Sequence, residues 1–182
     1  MIITNDEVAL RVFCEPVTAD EVGPLVEILE KELSYANSVG RSGIGLAAPQ
    51  IGIAKDIAIV RLPKITLNLV NARLKEGFDP AVFEEEGCLS FPGRVENTTR
   101  FQEVYIVNNL VEPHTFVATG LLAVVCQHEL DHLSSTLFMD RKLPKPVTIV
   151  KPAKVGPNEQ CPCGKTDVVT GKIKKFKKCC GK

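Results

Sequence analysis

At 182 residues, 45% hydrophobic and 24% charged, the chain has the make-up of one globular domain with a substantial core, plus an appendage. The start "MIITNDEVAL" lacks the basic residues and long apolar core of a signal peptide. No apolar run reaches the roughly 18 residues of a membrane span, so a cytoplasmic protein with no membrane partner is expected. The net charge of zero conceals a split. Residues 1–150 carry 13 Lys+Arg against 20 Asp+Glu, a net −7, and residues 151–182 carry 9 lysines against 2 acids, a net +7. Such a tail is either a solvated appendage or the contact for an anionic partner.

Along the chain, "ADEVGPLVEILEKELSYANSV" spaces Val22, Leu25, Val26, Leu29 and Leu33 at helical intervals with acids opposite, which predicts an amphipathic helix. "GIGLAAPQIG" follows, rich in glycine and carrying a proline, and is expected to be a loop or turn. "KDIAIVRL", "KITLNLVNARL" and "EVYIVNNL" are predicted strands, with "HTFVATG" a weaker one. "GLLAVVCQHELDHLSSTLF" gives the strongest helical pattern in the chain. "LPKPVTIVKPAKVGPN" is a proline-bearing linker. Strands lead into a central helix without regular β-α-β alternation, which gives an α+β class with antiparallel or mixed sheets around that helix. The expected organisation is a compact domain over residues 1–148, a linker over 149–158 and a small tail over 159–182.

The seven cysteines are Cys14, Cys88, Cys126, Cys161, Cys163, Cys179 and Cys180, and four of them fall in the last 22 residues. An odd count without a secretion signal argues for metal ligation or reactive thiols rather than a disulfide framework.

Two of the chain's three histidines lie four residues apart in "CQHELDHLSS", residues 126–135. Leu121, Val124, Val125, His128 and His132 fall at i, i+3, i+4, i+7 and i+11, one stripe of the helix, so both imidazoles emerge from its apolar face. Two unpartnered buried imidazoles would cost roughly 1–3 kcal/mol each, and a divalent metal removes that cost by taking a nitrogen from each ring. Glu129, next to the first histidine, can reach a water activated at such a centre without being a ligand, as a general base must. The alternative is a charged helix face with two ordinary histidines, and the apolar stripe disfavours it. His114 in "VEPHTF" has no such context and reads as a surface loop residue. A third ligand must come from elsewhere. Cys88 in "EEEGCLSFPG" offers a thiolate, whereas Cys126, two residues before His128, points away from the stripe. Two histidines and a cysteine with an open position would be a catalytic arrangement.

"GIGLAAPQ" at 43–50, "EGCLS" at 86–90 and "QHELDHL" at 127–133 resemble, in order and spacing, the three signature motifs of peptide deformylases. The resemblance covers roughly residues 5–143. It implies that Cys88, His128 and His132 bind the metal, usually Fe²⁺, with zinc, nickel or cobalt able to substitute. It implies Glu129 as acid and base, the Gln50 side-chain amide and the Leu89 backbone N–H as oxyanion donors, and Gly45 as a hydrogen-bond partner of the substrate backbone. Ile44, Leu121, Val124 and Val125 then line an unbranched slot for a methionine side chain, or are ordinary core. The implied reaction is hydrolysis of the N-formyl group of nascent formylmethionyl peptides by a monomer, releasing formate. Two positions depart from the pattern: Ser135 stands where glycine is common, and "VNA" at 70–72 stands where "INP" is common.

"KVGPNEQCPCGK" followed by "KKFKKCCGK" resembles the SEC-C motif, a small zinc-binding tail. The resemblance implies a tetrahedral zinc site made by Cys161, Cys163, Cys179 and Cys180, with 15 residues between Cys163 and Cys179, longer than usual. The expected partner of the basic tail is ribosomal RNA, or a chaperone. Two rival readings stand beside this one. A zincin-type peptidase would need a third His or Glu ligand downstream of "HELDH", and a binding module that has lost catalysis would not need Glu129, Gln50 and Cys88 intact.

Overall fold

The computed structural model describes residues 1–142 together with Asn158, Gln160, Lys172 and Lys175. The chain divides into two units, Met1–Leu143 and Pro144–Lys182. In the first unit a short helix α1 (Glu7–Leu10) precedes the long α2 (Ala19–Ser38). Glu21 starts α2 by accepting the Thr18 backbone N–H at 2.9 Å, satisfying a donor that the helix itself leaves free. The face read from the sequence buries Leu29, Leu33 and Ala36.

Two three-stranded antiparallel sheets follow, in the orders β1-β2-β3 and β4-β5-β6. The strands are β1 (Gly45–Ala47), β2 (Ile57–Leu62), β3 (Ile65–Val70), β4 (Arg73–Gly87), β5 (Val95–Val107) and β6 (Thr115–Thr119). Helix α3 (Gly120–Leu133) comes last. The continuous apolar run of β2 is explained by burial on both faces. Ile57 and Ile59 join Leu29 and Leu33 of α2 in one cluster, while Ala58 and Val60 join Ala123 and Cys126 of α3 in another. Alternation along β2 thus places it between the two helices, with α3 in the interior. The second sheet closes the far side of α3 with Val104, Ile106 and Ala118.

Three features differ from expectation. "GIGLAAPQIG" is not a plain loop: Gly45–Ala47 pairs with β2, and Ala48–Ile51 forms a 3₁₀ turn that buries Gln50. β4 is a 15-residue strand where the acid-rich sequence and Asp79-Pro80 gave no strand signal. "EVYIVNNL" is only the end of β5. The departures from the family pattern sit at special backbone positions. Asn71 and Ser135 have φ of 48° and 59°, in the left-handed region that favours glycine. Ser135 is held there by two long-range bonds: its hydroxyl donates to the Val12 carbonyl at 2.6 Å, and its carbonyl accepts from Arg11 at 3.1 Å. The expected domain boundaries near 148 and 158 and the tail cysteines lie outside the described residues.

Candidate metal centre

Helix α3 and the end of β4 meet at one point. The ligand-type atoms of Cys88, His128 and His132 all lie within 4.8 Å of one another, and Cys88 Sγ is 3.3 Å from His132 Nε2. A β-bulge prepares this meeting. Between Phe83 and Glu86 the β4 register slips against β5, with Glu85 at φ 53°, and the slip turns Glu86 into the interior just before Cys88.

Glu86 then fixes the first histidine. His128 Nδ1 lies 2.6 Å from Glu86 Oε1, which leaves Nε2 free to bind. Arg100 donates to both Glu86 oxygens at 2.8 and 2.6 Å and to Asp131 at 2.7 Å, and Arg141 donates to the other Asp131 oxygen at 2.7 Å. Burial works against ionising Glu86, but the hydrogen bonds from His128 and Arg100 outweigh it and hold the carboxyl at about 2. Burial also opposes charge on His128, yet the neighbouring Cys88 and its bonded Glu86 raise its proton affinity. Burial, then the neighbouring His128 charge, pushes His132 well down and keeps it neutral, the form that ligates.

Glu129 is almost fully buried, and desolvation, helped by the Glu86 charge, raises its carboxyl to about 7. Its Oε2 and His132 Nδ1 have no hydrogen-bond partner, and orphaned buried atoms cost about 1–3 kcal/mol each. A cation with its water would give the carboxylate a partner, so this donor set fits a divalent metal. Two histidines and one cysteine with a buried acid alongside could hold a metal with a position left open, as a catalytic site requires.

A cleft of about 580 Å³ opens onto the centre. Ile44, Gly45, Gln50, Leu89, Leu121, Val124 and Val125 all line it with Cys88, His128 and Glu129. Val124 and Val125 are buried, whereas Leu121 and Ile44 are 50% and 39% exposed, so the latter two are not core residues. Gln50 is locked in place: Oε1 accepts the Ala47 N–H at 2.8 Å, and Nε2 donates to Ser90 Oγ at 3.2 Å and contacts Cys88 Sγ at 3.4 Å. β1 passes so close to Glu129 that a Cβ on Gly45 would lie 2.3 Å from its Oε1.

Cys126 and Cys14 are buried in the core cluster, and burial raises their thiols to about 12 and about 11, so neither belongs to the centre. His114 is exposed. Among the described residues no ligand set other than Cys88, His128 and His132 forms, and it draws no third ligand from downstream of His132. The sequence reading missed Glu86, which holds His128, and Arg100 and Asp131, which brace Glu86. Their only signal was the acid two residues before Cys88 and the aspartate inside "HELDH".

Fold and site together define a metal-dependent hydrolase. The family model for polypeptide deformylase matches residues 1–147. A peptide deformylase of Heliobacterium modesticaldum is 38% identical over 144 residues, covering 77% of this chain and 91% of that protein. One of Aquifex aeolicus is 35% identical over 130 residues, covering 64% and 76%. The crystal structure of the Thermotoga maritima peptide deformylase superposes with a TM-score of 0.68 at 31% identity, covering 79% of this chain and 97% of that one. The Synechococcus elongatus enzyme, solved in complex with actinonin, gives 0.69 at 32%, covering 80% and 79%. The chain belongs to the polypeptide deformylase family. It is a peptide deformylase in activity: it hydrolyses the N-formyl group from the N-terminal formylmethionine of newly synthesised polypeptides and releases formate. No helix among the described residues is long and apolar enough to cross a membrane.

Proposed function

We propose that Cys88, His128 and His132 hold Fe²⁺, for which zinc, nickel or cobalt can substitute, and that Glu129 is the acid and base of the deformylation. The convergence of the three ligand atoms beside the unpaired, buried carboxylate oxygen of Glu129 carries this reading. When bound, the ion supplies a Lewis-acidic centre that lowers the pKa of water. Glu129 takes a proton from the attacking water as its oxygen bonds to the formyl carbon. The Gln50 amide and the Leu89 N–H stabilise the oxyanion of the tetrahedral intermediate, a contribution of about 10²–10³ in rate for one such donor. As the C–N bond breaks, Glu129 returns the proton to the departing amine nitrogen. Gly45 hydrogen-bonds the substrate backbone from the edge strand β1, and Ile44, Leu121, Val124 and Val125 form the methionine slot. Supporting this, all of them line the same cleft as the ligands.

The test is Glu129→Gln and Glu129→Ala, assayed anaerobically for formate release from formyl-Met-Ala with metal analysis of the same samples. Both variants retain the metal and lose about 10²–10⁴ in kcat or more. Substantial turnover, or loss of metal, would overturn the role.

The reading extends to the remaining chain. Residues 1–148 form the catalytic domain and 149–158 a linker, and 159–182 a SEC-C-like tail in which Cys161, Cys163, Cys179 and Cys180 bind zinc. An antiparallel bridge between Gln160 and Lys175 supports it, since Gln160 immediately precedes the first of these cysteines. The net charge of +7 over residues 151–182 favours ribosomal RNA as its partner, with a chaperone as the other outcome. The protein works as a cytoplasmic monomer.

A further inference from the structure

The charged residues that line the cleft and reach solvent are both basic. Four charged residues besides His128 line it: Glu86, Glu129, Arg41 and Arg94. Both acids are buried, and Glu86 is consumed by His128, Thr98 and Arg100. Both arginines reach solvent. Arg41 follows the left-handed Gly40 that ends the α2 segment, and its Nη2 donates to the Leu89 carbonyl, which pins the guanidinium beside the residue after Cys88. Among the described residues no carboxylate lies within ion-pair distance of Arg41. Arg94 ends the turn that follows, where its backbone N–H donates to the Phe91 carbonyl at 3.1 Å. Its charge is shared with Glu96 at 3.1 Å and, more loosely, with Glu7 at 3.9 Å. On a body carrying −7 over residues 1–150, Arg41 thus presents a positive charge that no described carboxylate pairs.

A formylated peptide held by its first residue must run outward past this mouth. We infer that Arg41, with Arg94 as a weaker second, selects formylmethionyl chains bearing an acidic side chain in the two positions after methionine. The two arginines act on binding rather than on the bond broken, because they line the cleft but stand outside the cluster of Cys88, His128 and His132. Their effect therefore falls on KM and leaves kcat near its value for the neutral peptide. Each half-exposed cation contributes about two- to fivefold, the range of a partly solvated ion pair. Arg41 carries the larger share, since nothing neutralises it.

The experiment uses the full chain loaded with metal and formyl-Met-Xaa-Yaa-Ala peptides, amidated so that the only carboxylate is the one under test. Xaa or Yaa is Glu, Ala or Lys. The reading is the ratio of kcat/KM for the Glu peptide to that for the Lys peptide, which does not depend on how much of a variant is folded. For the native chain the ratio exceeds one by about fivefold or more and shrinks toward one in roughly 1 M salt. Arg41→Ala lowers it, Arg41→Lys retains part of it, and the pair Arg41→Ala with Arg94→Ala brings it to about one. A native ratio at or below one overturns the inference, and so does an acidic preference that survives the double substitution. Failure of deformylation itself would show instead as no formate from the neutral peptide, so the two failures are distinguishable.

Discussion

Replacing Gly45 by alanine isolates the placement of Glu129 from its chemistry. Gly45 is not among the glycines at positive φ, so alanine meets no backbone strain there. The obstacle is steric. The added Cβ would lie 2.3 Å from Glu129 Oε1, 2.9 Å from Cδ and 3.1 Å from Cγ, where ordinary contact begins at 3.4 Å. The carboxylate must retreat by about 1 Å, and a displacement of that size at a reacting group costs on the order of 10²-fold in rate. If β1 yields instead, the overpacking costs about 1–3 kcal/mol of stability. The measurement is kcat for formyl-Met-Ala hydrolysis, with metal content and thermal melting on the same preparation. The expected result is a full complement of metal with kcat lowered about a hundredfold. A kcat within about threefold of the native value, with melting unchanged, would refute the reasoning.

Asp140 receives two bonds from Arg11, at 2.6 and 2.9 Å, and these hold its carboxyl below the ordinary 3.8. A depressed folded value stabilises fully above the unfolded value and is lost as pH falls through the folded one. Asp140→Asn is therefore expected to lower stability at pH 7 by at most about 1 kcal/mol, given the exposure of the pair, and urea melts in acid should show the difference closing. Air is expected to inactivate the iron form through the Cys88 thiolate while nickel and zinc forms last longer; equal decay of all three would remove the basis for iron. Truncation after Val150 should leave hydrolysis of short formyl-peptides intact and weaken ribosome co-sedimentation at low salt, whereas unchanged sedimentation would exclude the RNA contact. In the intact chain, zinc content unaffected by replacing Cys161 and Cys179 would exclude the tail site.

What could be read from the sequence was whatever repeats locally. The stripe from Leu121 to His132 identifies a helix and the face it buries, because one turn of helix brings those residues together whatever the tertiary structure. β4 was illegible for the opposite reason. It is an edge strand, exposed along most of its length, so "RLKEGFDPAVFEEEG" has no need of an apolar alternation and tolerates Pro80. The same limit hid the ligand supports. Glu86 meets Arg100 across 14 positions and His128 across 42, and those pairings follow from sheet register and from a bulge that no local pattern announces. β1 was missed because three residues with two glycines nearby look like a turn until β2 lies alongside them.

Cys88 follows directly on strand β4, and His132 belongs to a helix 44 positions later. An ion held by both is a reversible cross-link between the second sheet and α3, closing a long loop of chain. Its occupancy therefore enters the folding equilibrium by mass action. At about a thousand times the dissociation constant, a ligand that binds only the folded chain adds about 4 kcal/mol. Removal of the ion by a chelator is therefore expected to lower the melting temperature as well as abolish activity.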